Sequence, residues 1–161
     1  VACAIALAEK KREGEAKKAK AANQRATRAA LKTRADYIKD AQAAVNAYIR
    51  ARDAGRPCVS CCTHSASAWH AGHYRSIGAC PELRFEPLNI HKQCAKCNTH
   101  LSGNLIGYRH SLIDRIGVDM VEWVEGPHAT QKWTIDELMD IKRDFRDRLR
   151  QLKKESNEDH G

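Results

Sequence analysis

Aromatic side chains are scarce in this 161-residue chain, at 6% of positions, and internal repeats are missing, so nothing indicates a repeat array. Long hydrophobic runs are missing as well. The first eight residues are apolar, but they are too few to span a bilayer. Their positive charges follow rather than precede them, the wrong layout for a secretion signal. Acidic residues are absent between Cys58 and Cys80, which leaves that stretch without a carboxylate for binding a cation or moving a proton. These absences exclude a membrane span and point to a soluble, intracellular protein. Apolar content of 42% supports a core, and the length allows one domain plus an appendage.

The net charge is +8, and residues 1–50 carry nearly all of it, with 12 Lys and Arg against 5 Asp and Glu. A basic N-terminal third is the electrostatic signature of an arm for a polyanion. Sixteen of these fifty residues are Ala, interleaved with Lys, Arg, Glu and Gln, so a long helix is expected. Residues 9–34 have almost no large apolar side chain. This helix is either a solvated rod or an arm that orders on nucleic acid. Residues 1–36 are therefore read as a basic helical arm, 37–154 as the main domain and 155–161 as a disordered tail.

From Tyr37 the pattern changes. Tyr37, Ala41, Ala44, Val45, Tyr48 and Ile49 share one helical face, and Gly55 and Pro57 end that helix. Short strands are expected around Trp69–Tyr74 and around either Arg84–Phe85 or Ile90–Gln93. A helix should begin near the second cysteine pair. Another should cover about 104–116, with Leu105, Ile106, Leu112, Ile113 and Ile116 apolar and Gly117 as its stop. A short helix follows over Val118–Val124. Thr134-Ile-Asp-Glu137 is a capping box, opening a last helix striped with Ile135, Leu138, Ile141, Phe145, Leu149 and Leu152.

Seven cysteines in a charged, Lys-rich chain suggest metal rather than disulfides. Cys58-Val-Ser-Cys61 and Cys94-Ala-Lys-Cys97 are two Cys-x-x-Cys knuckles separated by 32 residues. Four thiolates at that spacing suit a closed tetrahedral Zn²⁺ site, which is structural because no coordination position is left open. Cys3, Cys62 and Cys80 remain as plain thiols, Cys62 being a rival to Cys61 as ligand.

Inside and beyond this frame lie His73, Asn89 and Asn98, with 15 and then 8 residues between them. The spacing resembles the HNH, or ββα-metal (His-Me finger), nuclease motif. The run Trp69-His-Ala-Gly-His-Tyr-Arg-Ser76, Leu83-Arg-Phe85, Asn89-Ile-His-Lys-Gln-Cys-Ala-Lys-Cys-Asn98 and Ser102-Gly-Asn104 further resembles the phage NinG (Rap) family. So does Asn46–Gly55, and the similarity covers roughly residues 37–152. The resemblance implies an α+β, mostly helical fold: a zinc-stapled ββα-metal core flanked by helices behind a long basic helix. It also implies a metal-dependent endonuclease that cuts branched recombination intermediates, Holliday junctions and D-loops, in a host bacterial cytoplasm. His73 would be the general base, Asn89 would hold the loop that orients it, and Asn98 would bind Mg²⁺ or Mn²⁺. Endonuclease VII-like sites place an acid immediately before the base, where this chain has Gly72. His70 is the substitute ligand, and its nitrogen favours a softer ion such as Mn²⁺. His91 and His100 are weaker candidates, and His64 reads as a loop residue.

The chemistry is coherent. Neutral imidazole is a suitable base near pH 7, and a hard cation beside the phosphate neutralises developing charge. Branched double-stranded DNA is the implied substrate, its two-fold symmetry predicts a homodimer, and a phage recombinase is a candidate partner. Each residue also has a plainer role: Asn89 and Asn98 as turn or cap residues, His73 as a hydrogen-bonded strand residue. On that footing the chain would be a non-catalytic zinc module that binds DNA. An HNH nuclease without junction preference is the third possibility.

Overall fold

A computed structural model describes residues 2–158, and it is mostly helical, with one small antiparallel sheet. The chain separates into two compact units, Val1–Asp36 and Tyr37–Gly161. In the first, helix α1 (Ala2–Ala30) is built from strong helix formers, and nearly every side chain from Glu9 to Thr27 is exposed. It stops where Thr33 and Asp36 form a reciprocal cap. The Thr33 N–H donates to Asp36 Oδ2 at 2.9 Å, and the Asp36 N–H donates to Thr33 Oγ1 at 3.3 Å. That cap opens helix α2 (Arg34–Arg52).

In the second unit, α2 buries Ala41, Ala44, Val45 and Ile49, the face its periodicity marks. They pack on Phe85, Ile90, and Leu138 and Phe145 of helix α5 (Ile135–Glu158). The Thr134 cap of α5 forms as expected, with Thr134 Oγ1 and Glu137 Oε2 accepting each other's backbone N–H at 3.2 and 2.7 Å. The tail expected to be disordered from 155 is helical through Glu158, because α5 simply continues; the rest of it lies outside the described residues.

A second cluster joins Val59, Tyr108 and Leu112 of helix α3 (Leu105–Ile116), and Val121 of helix α4 (Val118–Glu125). Gly117, at φ 81°, turns the chain between these helices in a conformation that disfavours a side chain. Leu105 and Ile106 depart from the expected buried stripe. Ile106 is 90% exposed, and Tyr108 takes the interior place instead.

Strand β1 (Trp69–His73) pairs antiparallel with β2 (Ile90–Cys94), setting His70 opposite Gln93 and His73 opposite Ile90. Arg84–Phe85, the alternative second strand, lies between two 3-10 turns (Pro81–Leu83 and Pro87–Asn89), each led by proline. A single π-helical turn, Lys96–His100, follows β2. Asp53, just past α2, ties the hairpin to the helices. Its carboxylate accepts from Arg52 at 2.8 Å and from the Lys92 N–H at 3.0 Å, with Arg115 3.7 Å away.

Candidate functional site

The thiols of Cys58, Cys61, Cys94 and Cys97 all lie within 4.8 Å of one another. Backbone bonds bring the two knuckles together: the Val59 N–H donates to the Lys92 carbonyl at 3.0 Å, docking the first beside β2, whose last residue is Cys94. Cys61 and Cys94 Sγ are 3.8 Å apart. Ligands on a tetrahedral Zn²⁺ with Zn–S bonds of about 2.3 Å stand about 3.8 Å apart, so the donor set fits the ion in kind, number and spacing. Burial works against a Cys58 thiolate, yet backbone N–H donors of Cys94, Ser60 and Cys61 outweigh it and bring Cys58 down to about 7. Burial and neighbouring thiols push Cys97 up to about 12, a penalty that a bound cation would cancel. Cys62 is not in the cluster; its backbone sits at φ 56° and its thiol faces Ser111. Cys80 is a buried thiol packed on Leu83 and Val124, and the Cys3 side chain lies outside the described residues.

His73 ends β1, and its Nε2 lies 2.9 Å from the Arg84 carbonyl. A carbonyl only accepts, so Nε2 carries the proton and the neutral ring keeps a free lone pair on Nδ1. Burial, joined by the Arg84 charge, holds His73 below the ordinary imidazole range although the carbonyl pulls the other way. The ring is therefore neutral at pH 7. Asn89 is fully buried and clamps the loop that carries this carbonyl. Its Nδ2 donates to the Arg75 and Leu83 carbonyls at 3.0 and 3.2 Å, and its Oδ1 accepts the Arg75 N–H at 2.8 Å. Leu83 directly precedes Arg84, so the anchor for His73 is itself anchored.

Strand alternation sets His70 and Gly72 on one hairpin face and His73 on the other. His70 Nδ1 lies 2.9 Å from the Asn98 side-chain nitrogen, across from the π-turn. An amide flip exchanges nitrogen for oxygen at that spot. Two donors bound at right angles to one ion at about 2.1 Å stand about 3.0 Å apart, so a flipped Asn98 and His70 match one edge of an octahedral site. Unflipped, with its nitrogen toward His70, Asn98 instead turns Oδ1 toward Gly72, 3.0 Å from where a Cβ would stand. No carboxylate joins this pair among the described residues grouped as metal ligands. A mixed imidazole and amide set suits Mn²⁺ better than Mg²⁺.

His70 and Asn98 thus meet each other, while His73 and Asn89 meet through the 75–84 loop. His73 lines an open cavity of about 450 Å³ with Arg75, Ser102, Leu105 and Glu125. Glu125 of α4 gives this cavity an acid that the sequence reading missed. It is held by Arg109 at 2.7 Å and by the Tyr74 hydroxyl, and the Arg109 bond foremost keeps its carboxyl below the usual range. Arg75 is committed elsewhere, donating to the Val124, Glu125 and Gly126 carbonyls at the end of α4. His91 is buried against Tyr108, and His64 and His100 are exposed.

The family described as Bacteriophage Lambda NinG protein matches residues 2–155. Protein ninG of Escherichia phage lambda is 50% identical over 129 residues, covering 80% of this chain and 63% of its own length. Protein ninG of Salmonella phage P22 is 49% identical over 129 residues, covering 80% of this chain and 64% of its own. The chain therefore spans about 64% of the length of the curated relatives it matches. No solved structure matches. No helix among the described residues is long and apolar enough to cross a membrane.

Proposed function

The chain belongs to the bacteriophage NinG protein family, and from that premise we propose that it is a metal-dependent DNA endonuclease selective for branched recombination intermediates. The observation that carries the reading is the state of His73: a neutral ring, fixed by its Nε2–H to the Arg84 carbonyl, with Nδ1 free. In this reading β1, β2 and the π-turn form a ββα-metal core stapled by Zn²⁺ on Cys58, Cys61, Cys94 and Cys97.

His73 Nδ1 takes the proton from the water that attacks the scissile phosphate. The Arg84 carbonyl keeps the ring oriented and accepts from the imidazolium that forms. Asn89 holds that carbonyl in place by fixing Leu83 and Arg75. His70 and Asn98, on the opposite hairpin face from His73 and with the Asn98 amide flipped, would hold Mg²⁺ or Mn²⁺; the reading requires a phosphate that reaches both faces at the end of β1, where the cation would supply charge neutralisation. The basic arm supplies phosphate contacts that are independent of sequence. Selectivity for four-way junctions and D-loops, action as a homodimer, delivery by a phage recombinase and work in the host cytoplasm rest on family resemblance.

The His70–Asn98 hydrogen bond favours a second reading, in which that face is purely structural and the chain is a DNA-binding zinc module. One assay separates the readings: zinc-loaded protein and its His73→Ala variant, with Mg²⁺ or Mn²⁺, on matched linear, flap and four-way DNA. A base of this kind is worth about 10²–10⁴-fold, so the variant should lose cutting on that scale while still binding DNA. Equal cutting by the variant would refute His73 as the base, and equal cutting of all three substrates would leave a nuclease without junction preference. No cutting by the wild type would leave the binding module.

A further inference from the structure

We infer that Gln93 sets the orientation of the Asn98 amide: its side-chain oxygen accepts a hydrogen bond from the Asn98 side-chain nitrogen and so turns the Asn98 oxygen toward His70. The inference rests on the nuclease reading in one respect, that Asn98 and His70 would share a cation; the hydrogen bond itself does not depend on it.

The orientation of the Gln93 amide is settled by its neighbours. Its Nε2 lies 2.6 Å from Ser60 Oγ and 2.5 Å from the Gly103 carbonyl. A carbonyl cannot donate, so the nitrogen belongs on that side and Oε1 on the other. With Asn98 unflipped, Oε1 is buried without a hydrogen-bond partner among the described residues, on a side chain that is 0% exposed. A buried amide oxygen left unpaired is costly, and native structures normally give such an atom a donor.

What Oε1 faces is Gly72. A Cβ built on that residue would stand 2.1 Å from Gln93 Oε1 and 3.0 Å from the unflipped Asn98 Oδ1, so the ends of two amides converge where β1 has no side chain. Two oxygens there repel, because neither can donate to the other. A half-turn of the Asn98 amide exchanges its oxygen and nitrogen, and the surrounding bonds decide between the two. Turned over, Asn98 brings Nδ2 to the Gln93 oxygen and its own oxygen to His70.

Nothing is lost at the other end. His70 stands opposite Gln93 in the hairpin register, and its Nδ1 lies 2.9 Å from the Asn98 amide. An imidazole nitrogen pairs with either amide atom, accepting from an N–H or donating its own proton to an oxygen. The turned amide therefore keeps the His70 bond and adds one to a buried oxygen, and the count of bonds selects it. Without the second cation, the neutral His70 ring then carries its proton on Nδ1, the opposite of His73, whose proton is on Nε2. Gln93 touches neither cation nor phosphate in this arrangement. It is a positioning residue, acting through Asn98, and its own anchor Ser60 lies inside the first knuckle.

The test uses the full zinc-loaded chain, labelled with carbon-13 and nitrogen-15, and readouts independent of cutting. Without added Mg²⁺ or Mn²⁺, the wild type should show the His70 proton on Nδ1 and a scalar coupling across the hydrogen bond from Asn98 Nδ2 to the Gln93 side-chain carbonyl carbon. A His70 proton on Nε2 without that coupling overturns the inference. Gln93→Met keeps the length of the side chain and removes its acceptor, so it should release Asn98 and give a mixture of His70 tautomers. Ser60→Ala disturbs the same packing but spares the Gln93 oxygen, and should keep the wild-type tautomer. An unchanged tautomer in a folded Gln93→Met overturns the inference; if that variant misfolds, the wild-type coupling decides. In parallel, Mn²⁺ binding is measured from the free-ion electron paramagnetic resonance signal. Gln93→Met should weaken it about tenfold and Ser60→Ala should leave it close to wild type. Equal affinity in Gln93→Met and wild type overturns the positioning role. A wild type with the coupling and the Nδ1 proton that binds no Mn²⁺ upholds the Gln93–Asn98 bond and sinks the cation of the nuclease reading.

Discussion

Replacing Asn89 with alanine probes fold and chemistry together. The side chain is fully buried and makes three bonds to backbone groups: the Arg75 carbonyl, the Leu83 carbonyl and the Arg75 N–H, at 3.0, 3.2 and 2.8 Å. Alanine would leave all three groups unpaired. Each stranded buried group costs about 1–3 kcal/mol, and the loop can relax to let water reach Arg75, so the low end applies and the total is about 3 kcal/mol. That is a large part of the roughly 5–15 kcal/mol typical of a domain. Urea unfolding of zinc-loaded protein should show a lower midpoint with an unchanged slope. The chemical consequence is separate. A released Leu83 carbonyl frees Arg84, whose carbonyl fixes the His73 tautomer. Nitrogen-15 spectra should show the proton on Nε2 in wild type and a mixture of tautomers in Asn89→Ala. Asn89→Asp keeps the acceptor for Arg75 and should fall between. Stability within about 0.5 kcal/mol of wild type, a range ordinary for neutral surface changes, would refute the clamp. An unchanged His73 tautomer would refute the coupling.

Acid should destabilise the protein before most carboxylates titrate. Burial, then the Arg52 charge, lowers His91 to about 3, so the unfolded chain binds the extra proton first. Its contribution is full above the unfolded value of about 6.5 and is lost as pH falls from there toward the folded value, at up to about 1.4 kcal/mol per pH unit. Stability measured from pH 7 to 5 should show this slope, and His91→Asn should flatten it. Asp53→Ala strands the half-buried Arg52 and the nearly buried Arg115, and should cost about 3–5 kcal/mol in urea unfolding. Chelating zinc should open residues 57–103 to hydrogen exchange while α5 keeps its protection; equal loss in both would show one cooperative unit. Deleting residues 1–32, which spares the Thr33 cap, should weaken DNA binding and reduce the slope of log K against log salt by about 0.9 per lost phosphate contact. An unchanged slope would mean the arm does not touch DNA.

Much of this architecture was legible because it rests on local rules. The 3.6-residue stripe of α2, the Thr134 capping box and the Gly117 stop all act within a few residues, and each stands where the sequence puts it. The Cys-x-x-Cys pairs were legible for a different reason: four sulfurs of that spacing have few other uses. Thr33 and Asp36 carry the same kind of signal as Thr134 and Glu137, yet the Ala-rich helix on one side masked it. Contacts distant in sequence were not legible. No periodicity tells that the Arg84 carbonyl would receive His73, or that Glu125 would reach the same cavity from α4. Leu105 and Ile106 read as core because they share a stripe with Leu112. The close approach of Gly107 to the Ser60 carbonyl turns α3 so that Tyr108 enters instead.

The order of residues along β2 and its exit shows why a structural zinc site stands so close to a proposed reactive one. Cys94 contributes a thiol from one face of the strand, and Gln93, its neighbour, points to the other. Cys97 is followed at once by Asn98, inside a single π-turn that also receives the Gly103 N–H on the Cys97 carbonyl at 2.9 Å. Gly103 in turn accepts from Gln93. A metal ion on Cys94 and Cys97 would therefore fix the backbone from which Gln93 and Asn98 project, each next to one of these thiols. With few aromatics and a two-stranded sheet, the chain has little apolar material to hold these amides in place. Thiolate–metal bonds at the four cysteines would do so over a much shorter stretch of chain than a hydrophobic core needs. The glycine at 72 answers to the same packing: a Cβ there would stand 2.1 Å from Gln93 Oε1, so β1 leaves room for that buried amide.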